Sequence, residues 1–246
     1  MALFAMGDFH LSFQTDKSMD IFGNVWKHHE KKIEKNMKKL VAPEDTIVIT
    51  GDHSWGRNLE ECRLDLEFIE KLPGRKILLR GNHDMFWDAK KTKALNERFN
   101  PKLFFLQDNF YSYEDYALVG TKGFTFEGPF YYDPWGNLMG WDEAKEQHAQ
   151  KLVEREMQRL RKSFEAASSE GYRKFIMFLH YPPTNILEKE SPFTQIAKEY
   201  GVSRVVYSHC HGESRYGDSI RGEHEGIRYE LVSGDYLDFC PVKLLS

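Results

Sequence analysis

Residues 76–84 read Lys-Ile-Leu-Leu-Arg-Gly-Asn-His-Asp. Lys76–Leu79 has the character of a buried strand, and Gly81 lets the backbone turn sharply where that strand ends. Polar functions then follow consecutively at Asn82, His83 and Asp84. The same arrangement recurs outward in both directions. Leu3–Met6 precedes Asp8 and His10 in GDFH, and Thr46–Thr50 precedes Asp52 in TGDH. Phe175–Leu179 precedes His180 in LHYPP, and Val202–Tyr207 precedes His209 and His211 in SHCHG. In an α/β sheet the carboxyl ends of the strands share one rim, where ligands bind, so these distant residues become neighbours.

Neutral imidazoles, carboxylates and an amide oxygen suit borderline-hard divalent cations. Asp8, His10, Asp52, Asn82, His180, His209 and His211 make seven such donors. That exceeds the needs of a single ion of ordinary coordination number and fits two ions sharing a bridging group. Alternation along an extended chain places Asp8 and His10 on one side and turns Phe9 into the core. By the same argument Cys210 points inward as a small apolar residue and His53 points away from the metals.

The 246 residues are expected to form a single domain over 1–246, long enough to bury a sizeable core. No apolar stretch is long enough to span a bilayer, so no membrane partner is expected. Met1–Met6 is apolar but lacks the basic leader of a secretory signal. Three widely spaced cysteines, Cys62, Cys210 and Cys240, imply no disulfide framework, and a reducing cytoplasm is the expected setting. The net charge of −4 does not advertise nucleic-acid binding. Glu30 and Glu34 interleave the basic run Lys31–Lys39, which reads as the outer face of a helix.

Helical spacing is expected over Val25–Leu40, Asn58–Leu72 and Asp142–Ala167. The last carries Ala149, Leu152, Val153, Met157, Leu160, Phe164 and Ala167 on one face, with Gly171 placed as its C-cap. Leu103–Phe126 reads as two or three strands, and Ile227–Ser233 and Val242–Leu245 as antiparallel ones. Mixed connections of this kind predict an α/β fold of two packed sheets with helices outside. His28, His29 and His148 lie on charged helical faces and read as solvated. Thr121–Trp141, rich in aromatics, glycine and proline, reads as a loop that covers either the core or the metal site.

Taken together, the motifs resemble those of the calcineurin-like metallophosphoesterases, whose pattern runs DxH, GDxx, GNH[DE], a lone His and GHxH. The resemblance implies a four-layer αββα sandwich of two mixed sheets flanked by helices. It implies one ion held by Asp8, His10 and His211, another held by Asn82, His180 and His209, and Asp52 bridging the two. His83 is then the group that protonates the leaving oxygen, with Asp84 orienting its ring. Ser208 stands where the family usually has Gly. Trp55 and Gly56 stand where protein serine/threonine phosphatases have Asp and Arg. GDHSW at 51–55 and RGNHD at 80–84 are closer to the bacterial predicted-phosphohydrolase branch.

The implied activity is hydrolysis of phosphate esters, mono- or diester, by a hydroxide shared between two divalent ions (Mn, Fe or Zn). A small phosphorylated substrate is the expected partner, with Trp55, Arg57 and Tyr181 shaping its pocket; Arg57 suits a two-pronged phosphate clamp. The rival readings are a nuclease or cyclic-nucleotide phosphodiesterase, and a scaffold that keeps metals without turnover. Neither the oligomeric state nor the native metal is legible in the residues.

Overall fold

The computed structural model describes residues 1–125, 131–132, 138–139 and 143–246. The first sheet holds β1 (Leu3–Met6), β2 (Thr46–Ile49), β3 (Arg75–Leu79) and β4 (Leu103–Leu106) in parallel, in that order. Helices α1 (His29–Leu40), α2 (Arg63–Lys71) and α3 (Thr92–Phe99) connect them. Next in the chain come β5 (Phe110–Tyr113) and β6 (Tyr116–Thr121), the short pair β7 (Tyr131–Tyr132) and β8 (Leu138–Met139), then α4 (Glu143–Ser169). They are followed by β9 (Lys174–Leu179), α5 (Pro192–Glu199), β10 (Arg204–Tyr207), α6 (Glu213–Asp218), β11 (Gly222–His224) and β12 (Ile227–Leu231). The last strand, β13 (Val242–Leu245), returns to the first sheet antiparallel to β1. The second sheet has the order β11-β12-β10-β9-β6-β5.

Period-two burial explains the layering. Leu3 and Ala5 of β1 face inward, meeting Val48, Ile77 and Leu79 of the first sheet and Leu118, Ile176, Phe178 and Val206 of the second. Phe4 and Met6 face the other way, onto Ile33 and Met37 of α1 and Leu66 and Ile69 of α2. Val119, Phe175 and Met177 of the second sheet likewise pack on Leu160 and Phe164 of α4 and Ile196 of α5. Helix, sheet, sheet, helix is the expected four-layer order, and both sheets are mixed.

Some local expectations shift. The first helix begins only at His29, because Asn24–Trp26 forms a 3₁₀ turn and His28 takes a left-handed φ of 51°. Ile227–Leu231 pairs in parallel with β10 and antiparallel only with β11, since α6 carries the chain across before β11 and β12 form. Most of the aromatic stretch 121–141 lies outside the described residues. Among the described residues no helix is long and apolar enough to cross a membrane.

One buried feature left no trace in the apolar pattern. Glu156, fully buried on the inner face of α4, accepts hydrogen bonds from Thr121 Oγ1 at 2.6 Å and Arg159 Nη1 at 2.6 Å, with Arg155 Nη2 at 3.3 Å. It ties the long helix to the end of β6.

Candidate metal centre

All the expected donors lie at the carboxyl ends of parallel strands. Asp8 and His10 follow β1, Asp52 follows β2, Asn82 follows β3, His180 follows β9, and His209 and His211 follow β10. The first sheet supplies Asp8, His10, Asp52 and Asn82, and the second supplies His180, His209 and His211.

Donor atoms of Asp8, His10 and His211 lie within 4.8 Å of one another, as do those of Asp52, His180 and His209. Asn82 Oδ1 sits 2.7 Å from His180 Nε2, which joins it to the second group. Asp52 Oδ2 stands between the groups, 3.4 Å from His180 Nε2 and 3.6 Å from His10 Nε2. The other oxygen, Asp52 Oδ1, accepts the His83 backbone N–H at 2.8 Å, so Oδ2 is aimed inward. Asp8 is held similarly: Oδ2 accepts the His209 N–H at 3.0 Å, leaving Oδ1 free of any hydrogen bond.

The backbone does much of this aiming. Asp8 (φ 57°), His10 (φ 43°), Asp52 (φ 53°) and His209 (φ 70°) all adopt the left-handed region, which is costly for residues with a Cβ and clusters at functional sites. Asp8 and His10 therefore converge through two left-handed turns rather than by simple strand alternation. Phe9 does point into the core, as does Cys210. Two glycines allow the loops to close up. At Gly51, with φ of 105°, a Cβ would stand 2.6 Å from His180 Nδ1, and at Gly81 one would collide with the Asp52 carboxylate.

Partners behind the donors orient them. His180 Nδ1 faces the Thr50 carbonyl at 2.9 Å, and Ser208 Oγ donates to the same carbonyl at 2.9 Å. His211 Nδ1 faces Asp235 Oδ1 at 2.9 Å, while Tyr216 Oη donates to Asp235 Oδ2 at 2.6 Å. With Nδ1 carrying the proton in each ring, Nε2 is left as the lone-pair donor toward the centre. Asp235 and Tyr216 escaped the sequence reading, although Gly234-Asp235 after β12 repeats the strand-Gly-Asp pattern of Gly51-Asp52. His29 is a correction. It is buried rather than solvated, placing Nδ1 3.0 Å from the Trp26 carbonyl and Nε2 2.9 Å from the Phe9 carbonyl.

Asp84 is a second correction. Its carboxylate does not reach the His83 ring. It accepts from the backbone N–H groups of Gly81 (2.7 Å), Asp52 (3.0 Å) and His53 (2.8 Å), and meets His53 Nδ1 at 2.9 Å. Asp84 therefore fastens the loops after β2 and β3 together, with His53 as its buried partner. The half-buried His83 ring lies against Trp55 (4.2 Å between centroids) and near His10 (5.5 Å). Trp55 also stacks on His10 at 5.0 Å, and Tyr181 lies 4.1 Å from the His209 ring. Arg57 lies outside the cavity lining: its side chain is 77% exposed and pairs with Glu61 at 3.0 Å.

Burial and mutual charge set the protonation of the metal-free cluster. Burial lifts the Asp8 carboxyl to about 6 and pulls the His10 imidazole down to about 3, leaving that ring neutral. Burial also opposes charge on Asp52, but His180 beside it holds the carboxyl well below the usual range. For His211 burial is outweighed by Asp8 and Asp235, and its pKa rises to about 9.

These residues fit a pair of cations. Asp8 Oδ1 and Asp52 Oδ2 are buried anionic oxygens without a hydrogen-bond partner, a costly condition that a dication relieves. The sequence pattern of the calcineurin-like phosphoesterases matches residues 1–213. The chain belongs to that family. Phosphopantetheinyl hydrolase (PptH) from Mycobacterium tuberculosis is similar at a TM-score of 0.56 and 12% identity, over 99% of this chain and 95% of that one. At that identity the likeness shows the fold alone. Two further structures reach a TM-score of 0.49. They are the protein of unknown function AQ665 from Aquifex aeolicus (16% identity, 98% of this chain, 95% of that one) and TT1561 from Thermus thermophilus (10%, 88%, 85%). No curated protein matches the chain.

Proposed function

We propose that this calcineurin-like phosphoesterase hydrolyses esters of small phosphorylated compounds using two divalent cations. The observation that carries the reading is Asp52 Oδ2: buried, without a hydrogen-bond partner, and placed between the Asp8-His10-His211 group and the Asp52-His180-His209 group. Asp8, His10 and His211 would hold one cation, Asn82, His180 and His209 the other, and Asp52 would serve both. When bound, the pair supplies an acidified water as nucleophile and offsets the negative charge of the phosphate.

The chain's own side chains account for the rest. Asp235 and the Thr50 carbonyl hold the rings of His211 and His180 in place, so the donors need little rearrangement. Trp55 restrains the His83 ring on the floor of the cavity beside the metal ligands, where it can give a proton to the leaving oxygen. Asp84 acts on His83 only through the backbone, by fixing the turn that carries it. We place the protein in the cytoplasm as one domain, a reading supported by Cys62, Cys210 and Cys240, which form no disulfide.

The test is metal analysis joined to a panel of mono- and diesters assayed with added Mn²⁺. Two ions per chain, hydrolysis of small esters, and loss of both ions in Asp52→Asn are expected. Full occupancy in Asp52→Asn would remove the bridge. Cleavage confined to polynucleotides would favour a nuclease, and metal binding without any turnover a scaffold.

A further inference from the structure

The cavity before the metal centre has a volume of about 980 Å³, far more than a phosphate group fills, and within the range of sites that hold whole organic ligands. Its floor carries His10, Asp52, His83, His209 and His211. One wall is built by Met19, Phe22, Val25 and Trp26, from the segment between β1 and α1. Tyr216, Arg221 and Tyr236 stand among the remaining lining residues.

Two features show what kind of group suits this space. The Met19–Trp26 wall is apolar throughout where it meets the cavity, and Phe22 keeps 62% of its surface exposed. An apolar ring left open at the lip of a cavity gains from any apolar group that covers it. The charged lining, by contrast, offers an anion little beyond the floor. Arg221 is the only lysine or arginine among the described lining residues, and it is engaged: it lies over the Tyr236 ring at 5.4 Å and donates to Tyr236 Oη at 2.6 Å. Glu213 and Asp235 add carboxylates to the same lining.

We propose that this cavity receives the leaving group, and that the substrates are phosphate esters of a bulky apolar alcohol. The inference rests on the phosphoesterase reading above. Water adds to phosphorus, the bond from phosphorus to the alcohol oxygen breaks, and that oxygen leaves with a proton from His83. The apolar remainder of the alcohol lies against Met19, Phe22 and Val25 throughout. Compounds with further phosphates in the leaving group are disfavoured by the Glu213 and Asp235 carboxylates, with Arg221 the single lysine or arginine among the described lining residues.

The experiment compares 2-phenylethyl phosphate with ethyl phosphate on the Mn²⁺-loaded full chain. Their leaving groups have nearly equal basicity and differ in apolar bulk. The phenylethyl ester is expected to have the higher kcat/KM, chiefly through KM, and Phe22→Ala to reduce that preference by about 10-fold. Ile21→Ala, at a neighbouring position 79% exposed and outside the cavity lining, should leave the preference intact. A second readout avoids the metals: 2-naphthylethanol should bind chelator-treated protein and change the fluorescence of Trp26 and Trp55, and Phe22→Ala should weaken this. Equal rates on both esters, with no fluorescence change, overturn the inference and leave the phosphoesterase reading standing. Hydrolysis of neither ester, while other members of the mono- and diester panel are turned over, overturns the inference alone; turnover of nothing in that panel, with naphthylethanol still bound, overturns the phosphoesterase reading and with it the leaving-group role.

Discussion

Replacing Asp235 by Asn removes one negative charge while keeping the shape of the side chain. The amide oxygen can still accept from His211 Nδ1, now 2.9 Å from Oδ1, and the Tyr216 hydroxyl can turn to accept from the amide nitrogen. What is lost is the charge that makes the His211 imidazole a stronger donor. Carboxylates behind metal-binding histidines are worth about 10–100-fold in affinity, or about 1.4–2.7 kcal/mol. The loss should fall on the ion held by Asp8, His10 and His211. The ion near Asn82, His180 and His209 has its own support in the Thr50 carbonyl and should be spared. Protons complicate the sign at neutral pH. His211, with its pKa raised to about 9, must release a proton before it binds metal, and Asp235 contributes to that raised value. Asp235→Asn relieves this competition, so its deficit should be smaller near pH 7 and widen towards pH 9. Stepwise titration with a chelating indicator, resolving two ions at both pH values, measures the effect. Equal weakening of both ions, or a deficit that shrinks as pH rises, would refute the assignment of Asp235.

His83→Ala should retain both ions yet lose about 10²–10⁴-fold in turnover if the ring supplies the leaving-group proton; unchanged kcat would dismiss that role. In the unaltered protein, metal affinity should rise as pH increases towards about 9, by up to about tenfold per unit from the His211 proton alone, as followed by competition titration. Glu156→Gln leaves Arg155, Arg159 and Thr121 facing a neutral group and should cost about 3 kcal/mol, read as a lower urea midpoint. An unmoved midpoint would mean that solvent satisfies those arginines equally well.

The donor set was legible because strand ends are legible: a run such as Lys76–Leu79 broken by Gly81 announces where polar side chains gather. Two packed sheets with outer helices followed from the same alternation of strand and helix patterns. What lay hidden depended on contacts made only after folding. Nothing near His83 in the sequence says that Asp84 spends its hydrogen-bonding capacity on Gly81, Asp52 and His53. His29 sits in a charged run, and only the approach of the Phe9 carbonyl marks it as buried. The left-handed turns at Asp8 and His10 were likewise invisible, because Asp and His have no glycine-like signature. Arg57 is drawn to Glu61, four residues on, for a local reason that the motif pattern did not show.

Because four donors belong to one sheet and three to the other, a bound pair of cations would act as a clasp across the sandwich at a single edge. Away from that edge the sheets are joined by interdigitated apolar side chains and by a few polar links, such as Arg75 Nη1 to the Ser112 carbonyl and Tyr113 Oη to the Met1 carbonyl. Removing the cations would release the clasp and leave the apolar seam intact. The loops of the active edge should then gain freedom while the opposite edge keeps its protection, so that readiness for catalysis and rigidity of this edge rise and fall together.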